Sequence, residues 1–355
     1  MNLSRRSLAD KRLWKRGVME ARSVDQIPSG EMWQYEPKWD GFRCILAREG
    51  AATYMVSKSG QDLCRYFPEI AQWALTFAAK VFVLDGELVV PDGKQFSFDR
   101  LLQRIHPAAS RVSKLACETP ALFLAFDLLQ DGRRELAFEP LPVRRAALEV
   151  FAKKNFGSAP FCLSPTSTKL AQAQRWLKAA GGGSDGVIAK RRDLPYQFGN
   201  RGGMQKIKRV RSADCVIGGF RYGERRVSGR RVAASLLLGL YDDRRMLHHV
   251  GFTSALTNAE KPGLTDRLEE IATDNSFSGN SPGGPSRWST KRSASWVPVK
   301  PRFVVEISYD HFTGGRFRHG TTILRWRPDK KPAQCNFVQL EQKAILPGEL
   351  LRATR

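Results

Sequence analysis

Lys38 lies in the run Glu36-Pro37-Lys38-Trp39-Asp40-Gly41-Phe42-Arg43, where an amine, two carboxylates and a guanidinium fall close together. A lysine at the end of a strand, followed by an Asp-Gly turn and a second cation, can be held in a phosphate pocket with its amine aimed at phosphorus. An amine attacks only when neutral, and a lysine side chain ordinarily has a pKa of about 10.4, so neighbouring cations or a metal must lower it. Arg43 is placed to contribute. With average residue usage, Lys-x-Asp-Gly-x-Arg arises by chance in roughly one of two hundred chains of this length. Other elements must therefore agree before the pattern carries weight.

Asp85-Gly86-Glu87 closes an apolar run, which sets a carboxylate at a strand edge where it can meet a ribose hydroxyl or a metal. Phe126-Asp127 follows the apolar run Leu122 to Ala125, and a phenylalanine there can stack on a purine face, an interaction worth about 1–3 kcal/mol. Ser184-Asp185-Gly186-Val187-Ile188-Ala189-Lys190 adds another carboxylate and another lysine after a glycine loop. In Met204-Gln205-Lys206-Ile207-Lys208 the period-two alternation turns Lys206 and Lys208 to one face of a strand, two cations suited to a triphosphate. Near the end, the guanidiniums of Arg325 and Arg327 can orient a departing pyrophosphate and stabilise the charge that develops on it. Taken singly, each of these is also what a plain turn, a core aromatic or a solvated basic face would show. No Ser/His/Asp arrangement, P-loop signature or dinucleotide fingerprint is present.

The elements that must position these residues are legible in outline. Met32 to Lys38, Phe42 to Arg48, Thr53 to Ser57, Val81 to Val90 and Leu122 to Leu129 read as strands, being rich in β-branched or aromatic residues and bounded by turn signals. Asp92-Gly93 suits a hairpin turn because it tolerates positive φ. Helices are predicted at Phe67 to Ala79, Arg144 to Lys154 and Lys169 to Ala180, the last stopped by three glycines. From Ala213 onward the pattern changes to short strands, Asp214 to Phe220, Ala233 to Tyr241, Leu247 to Phe252 and Phe303 to Tyr309, with one helix at Leu264 to Ala272. Short antiparallel strands with one helix fit a small barrel of the OB kind. The fold class is α+β, with domains 1–210 and 211–355, and Asn275 to Ser289 is expected to be an irregular loop.

A chain of 355 residues with 42% hydrophobic content is too large for one ordinary core. Its formal net charge of +23 points to a polyanionic partner. Splitting at residue 210 leaves 34 basic and 21 acidic residues before the cut and 24 and 14 after it, so the halves carry +13 and +10 and neither is a mere basic tail. A cationic protein with no nucleic acid ligand is the alternative that charge alone leaves open. The six cysteines are scattered with no C-x-x-C pair, which disfavours a zinc site or a disulfide framework and suits a reducing, cytoplasmic setting. The basic start lacks an apolar core of signal-peptide length, and no apolar stretch approaches the roughly 20 residues needed to cross a bilayer.

In this order and spacing the elements resemble the covalent nucleotidyltransferase superfamily of ligases and capping enzymes. The closer resemblance is to bacterial ATP-dependent DNA ligases outside replication, such as those called ligase C and the ligase module of ligase D. It runs through Glu36 to Arg43, Ser57 to Pro68, Leu84 to Val89, Asp185 to Arg191, Ser212 to Tyr222 and Arg316 to Pro332. The resemblance implies an adenylation domain followed by an OB-fold domain, ATP with Mg or Mn, nicked duplex DNA as substrate, a DNA-repair setting with helper proteins, and a monomer. It implies Lys38 as the AMP-accepting nucleophile with Asp40 and Arg43 as its motif partners. Glu36 would contact adenine, Phe126 would stack on it, and Glu87 would meet the ribose and, with Asp185, the metal. Lys190, Lys206 and Lys208 would bind the nucleotide, while Arg325, Arg327 and Lys330 would act from the OB domain, which would swing about Arg209 to Ser212. Two departures stand out. Asp185 occupies a position where the family usually has Glu, and Lys58 one where Arg is usual. A lysine cannot make a bidentate contact, so 5′-phosphate sensing at Lys58 should be weaker. An RNA ligase, a capping-type enzyme and a non-catalytic nucleic-acid-binding relative are the competing readings.

Overall fold

The computed structural model describes residues 17–158, 160–227, 229–254, 256–283, 295–318, 320–341 and 346–352. The basic segment 1–16 and residues 284–289 of the expected loop lie outside them, and the described part of that loop, 275–283, holds neither helix nor strand. By contacts the chain divides into two units, Met1–Arg209 together with Lys343–Arg355, and Val210–Gln342.

The strands of the first unit are β1 (Arg22–Ser23), β2 (Trp33–Trp39), β3 (Phe42–Glu49), β4 (Ala52–Ser57), β5 (Val81–Val89), β6 (Pro91–Asp92), β7 (Gln95–Phe96), β8 (Leu122–Asp131), β9 (Arg134–Glu135), β10 (Phe161–Leu163), β11 (Ser184–Arg191) and β12 (Met204–Lys208). Its helices are α1 (Pro68–Thr76), α2 (Phe98–Gln103), α3 (Ala109–Glu118), α4 (Leu141–Asn155) and α5 (Leu170–Lys178). The strands form two principal sheets, one in the order β1-β12-β11-β2 and one in the order β10-β8-β5-β3-β4, with β9 added to β8. The two-residue strands β6 and β7 close over Asp92-Gly93, where Gly93 has φ of 59°, as the turn chemistry predicted.

Asp40-Gly41 is not a hairpin turn. Strands β2 and β3 on either side of it belong to different sheets, so this dipeptide carries the chain from one sheet to the other. A Cβ on Gly41 would lie 2.2 Å from the Leu88 carbonyl oxygen, so the crossing runs too close to β5 for any side chain. Nor does Asp85-Gly86-Glu87 end its strand. It lies inside β5, which has strand neighbours on both sides, and its carboxylates therefore project from a sheet face.

Three cores hold the unit. Ile45, Ala47, Val83, Leu129 and Met204 meet between the two sheets. The outer face of the larger sheet packs Phe82, Phe123 and Phe161 on Phe77, Phe151 and Phe156, and the outer face of the smaller one packs Tyr35, Trp39 and Val187 on Ala173 and Trp176 of α5.

The second unit contains β13 (Arg211–Val227), β14 (Arg230–Tyr241), β15 (Leu247–Thr253), β16 (Val297–Pro298), β17 (Val304–Tyr309), β18 (Phe312–Thr313), β19 (Arg316–Phe317) and β20 (Thr322–Trp326), with α6 (Lys261–Glu269). Its main sheet runs β15-β14-β13-β17-β20, with β16 on β13. The two edges meet where Thr253 Oγ1 donates to the Thr321 carbonyl at 2.8 Å and Thr321 Oγ1 donates to the Phe252 carbonyl at 3.1 Å. That bridge brings the two edges together at one point and curls the sheet into a half-barrel around Phe220, Leu236, Leu238, Val250, Val305 and Ile307. The last helix, α7 (Pro347–Arg352), differs from the boundary drawn in the sequence at 211–355. Leu350 is buried with Tyr35, Trp39 and Trp176, so burial of its apolar side chain returns this end of the chain to the first unit. No helix among the described residues is long and apolar enough to cross a membrane.

Candidate active site

The inward face of the smaller sheet carries six of the fourteen predicted residues, Glu36, Lys38, Asp185, Lys190, Lys206 and Lys208, and strand register explains why. Gly186 of β11 pairs with Lys38 on one side and Lys208 on the other, and Ile188 pairs with Glu36 and Lys206. Cross-strand partners share a face, so Glu36, Lys38, Lys206 and Lys208 project together. By simple alternation Asp185 would point away from them. A register shift between Ser184 and Gly186 makes Asp185 the extra residue of a bulge, which re-aims its carboxylate. Asp185 Oδ1 and Oδ2 lie 2.8 and 2.9 Å from Lys38 Nζ. A Cβ on Gly186 would sit 1.9 Å from the Ile207 carbonyl oxygen, so close strand contact requires glycine beside the bulge.

The facing sheet contributes Arg43 from β3, Glu87 from β5 and Phe126 from β8. Phe126 is itself the extra residue of a bulge, since Asp85 pairs with Asp127 and Gly86 with Ala125. Between the sheets lies a cavity of about 340 Å³ whose walls include Glu36, Lys38, Arg43, Lys58, Glu87, Phe126, Lys190 and Lys206. That is within the range of about 300–1,000 Å³ typical of small-molecule sites. An aromatic ring between the sheets and converging lysines at one end are what a nucleotide's base and phosphates require.

Several predicted residues already hold partners. Lys190 Nζ lies 2.9 Å from Glu36 Oε2, with both side chains buried. The Arg43 guanidinium and Lys190 ammonium each lie 4.5 Å from the Phe126 ring centroid. Arg43 is gripped through Nε and Nη2 by Asp85, each at 2.5 Å, and Tyr196 donates its hydroxyl to Asp85 Oδ2. Lys58, 57% exposed, reaches Glu20 at 3.1 Å, and Lys208 lies 3.8 Å from Asp185.

The electrostatics reverse one expectation. Burial works to lower the Lys38 pKa, but Asp185, then Glu87 and Asp40, outweigh it and the net direction is upward. Arg43 cannot offset this, because Asp85 neutralises it. The site as it stands holds Lys38 as an ammonium, whereas the sequence argument required a neutral amine. Glu87 is pushed up to about 7, chiefly by desolvation, against the opposing pull of Arg43 and Lys38. Lys206 is pulled down by burial and by the positive charges of Lys38, Lys208, Lys58 and Arg201. Carboxylate oxygens acting on one ammonium form a hard donor set of the kind that suits Mg or Mn.

Arg325, Arg327 and Lys330 lie in the second unit and form a network of their own. Arg327 Nη1 donates to Asp214 at 2.9 Å, Lys330 to Asp214 at 2.6 Å and Arg325 Nε to Glu306 at 2.7 Å. The sequence reading did not single out Asp214, Tyr196, Glu20 or Arg201. It passed over Asp85 in favour of Glu87, although two residues' spacing on one strand puts both on one face. No local signal marks Tyr196, which meets Asp85 across 111 positions of chain.

Residues 19–208 match the family model described as ATP dependent DNA ligase domain, and 229–330 match that of the ATP dependent DNA ligase C terminal region. The chain is 44% identical over 338 residues to DNA ligase C2 of Mycolicibacterium smegmatis, covering 91% of this chain and 93% of that one. It is 39% identical over 359 residues to DNA ligase C of Mycobacterium tuberculosis, covering 93% and 96%. A structure from a study of Lig E DNA ligases superposes with a TM-score of 0.51 over 88% of this chain and 99% of that one, at 14% identity, which shows a common fold. Two sheets facing across a cleft, followed by a small barrel, are the architecture of a covalent nucleotidyltransferase. The chain belongs to the ATP-dependent DNA ligase family, and its fold is an adenylation domain followed by an OB-fold barrel.

Proposed function

We propose that Lys38 takes AMP from ATP, that the AMP passes to the 5′-phosphate of a nick in duplex DNA, and that the adjoining 3′-hydroxyl then displaces it. The observation that carries this reading is the placement of Lys38 against Asp185 in the wall of the cavity that also holds Phe126 and Lys206. In the first step the Lys38 amine forms a bond to the α-phosphorus while the bond to the β-phosphate oxygen breaks, and pyrophosphate leaves with the electron pair. The ammonium must first lose a proton to solvent, because Asp185, in contact with Nζ, stabilises its charged form. Glu87 and Asp185 would hold a divalent cation. Bound there, it would neutralise the carboxylates that keep Lys38 charged and the oxygens that crowd the α-phosphate. Phe126 offers its ring to the base, Glu36 with Lys190 lies beside it, and Lys206 and Lys208 face the phosphates. Arg325, Arg327 and Lys330 would act on pyrophosphate from the barrel, with reorientation at Arg209 to Ser212.

The substrate is nicked DNA bound largely through its backbone, in keeping with the net charge. The multifunctional end-joining protein LigD is 32% identical over 309 residues, which favours a repair role, exercised in the cytoplasm by a monomer with helper proteins for targeting. Intact-mass spectrometry after incubation with ATP and Mg tests the first step. Wild type gains one AMP and Lys38→Ala gains none, whereas an adduct persisting on the variant would refute Lys38 as acceptor.

A further inference from the structure

The last helix, α7, lies outside both stretches that match the family models, yet it packs behind the strand that presents Lys38. Side chains alternate along β2, so Lys38 points between the sheets and Trp39 packs on the outer side of its own sheet. There Leu350 of α7 is buried with Trp39, Tyr35 and Trp176, and Phe96 packs against the same cluster. Trp39 is held from two further directions, since its Nε1 donates to Ser164 Oγ at 2.9 Å and its ring lies 5.9 Å from that of Phe96. The start of α7 meets the glycine loop before β11, where a Cβ on Gly182 would lie 3.8 Å from Pro347 Cδ. That loop fixes the next residue of the lysine segment. The Gly183 carbonyl accepts the Asp40 N–H at 2.9 Å, and the Gly182 carbonyl accepts the Phe96 N–H at 2.8 Å. Helix α7 therefore touches both the side chain and the loop that set the backbone immediately after Lys38, and the same loop leads into Asp185.

We propose that α7 is a positioning element for the AMP-accepting lysine, docked while Lys38 is loaded and drawn off when the barrel turns toward DNA. The proposal rests on the ligase reading above. An in-line attack needs the amine held in a near-attack geometry, and Lys38 owes part of its aim to the backbone it shares with Trp39 and Asp40. The support is built to be lost. Six residues are too few for a helix to persist unaided in water, so α7 keeps its shape by docking, and the dock rests chiefly on the buried Pro347 and Leu350. Its tie to the second unit is short. Glu341 and Leu346 are five residues apart in sequence, a reach of at most about 18 Å. A swing that carries Glu341 farther than that from the dock must pull α7 away, after the lysine has been loaded. The final step needs no such support, because there the 3′-hydroxyl is the nucleophile.

Full-length Leu350→Asp, which places a charge in the apolar dock, and full-length Leu350→Met are compared with wild type in two single-turnover assays. One follows AMP loading from saturating ATP and Mg by intact mass. The other follows sealing of a nick already adenylated on its 5′-phosphate, with no ATP present. Leu350→Asp slows loading by about ten- to a hundredfold, the penalty for a misplaced reacting group. Leu350→Met loads like wild type, and all three proteins seal the pre-adenylated nick alike. A merely structural role would damage both steps, so a loss in sealing as large as that in loading overturns the proposal, as does wild-type loading by Leu350→Asp. Hydrogen–deuterium exchange tests the release, in EDTA and with 3′-dideoxy nicked duplex so that no transfer occurs. In AMP-loaded wild type the Glu349 and Leu350 amides, which donate to the Leu346 carbonyl, exchange faster once the duplex is added. Exchange that DNA leaves unchanged or slows overturns the release. Failure of wild type to take up AMP at all would instead sink the ligase reading.

Discussion

Asp127 in the first unit and Asp214 in the second each bind an arginine at nearly the same distance, yet the two pairs do different things. Asp127 meets the Nε and Nη2 of Arg144 at 2.8 and 3.0 Å, and Arg144 also donates to the carbonyls of Glu139 and Leu194. Side-chain exposure there is 1% and 3%. Asp214 meets a single nitrogen of Arg327, at 2.9 and 3.2 Å, and shares itself with Lys330, while Arg327 turns its other nitrogens to Asp329. Desolvation, and not distance, separates them. A buried fork with every nitrogen hydrogen-bonded is fixed, and it braces the bulge that presents Phe126. The Asp214 cluster, with side-chain exposure of 12% at Asp214 and 18% at Arg327, shares its charges among several partners, and under the function proposed above it would release its cations to a phosphate.

The largest effect expected from this contrast is on stability. Arg144→Ala leaves the Asp127 carboxylate buried without its cation, and breaking such a pair costs about 3–5 kcal/mol. Urea unfolding would show it, and a near-wild-type midpoint would erase the distinction between the pairs. A smaller, pH-dependent effect should arise in the barrel. His249 is buried beside Phe277 and held down to about 4, first by desolvation and then by Arg316 and Arg221. Unfolded, it titrates near 6.5. The unfolded chain therefore binds the extra proton first, and stability falls as pH drops from about 6.5 toward 4, by on the order of 2–3 kcal/mol. His249→Phe should flatten that limb in pH-dependent unfolding, and an unchanged slope would assign the acid sensitivity elsewhere. The smallest stability change belongs to Arg327→Ala, whose unfolding midpoint should stay close to wild type while AMP loading of Lys38 slows. Destabilisation matching that of Arg144→Ala would show that the two pairs are alike after all.

Much of the cleft was legible in the sequence because alternation along a strand is a local property. Glu36 and Lys38, two apart, had to share a face, as did Lys206 and Lys208, and the apolar runs marked β2, β3, β5 and β8 to within a residue or two. Local pattern failed where the backbone breaks its own period. The bulge that turns Asp185 toward Lys38 and the sheet-to-sheet crossing at Asp40-Gly41 depend on which strands lie alongside. The charge on Lys38 was likewise beyond the sequence, which offered Arg43 as a nearby cation and gave no sign that Asp85 and Tyr196 would occupy it. Residue type and spacing settle which chemical groups the chain has and which way each leans from its strand. Only the assembled sheets decide which groups lose their water and which opposite charge each then meets, because both depend on neighbours distant along the chain.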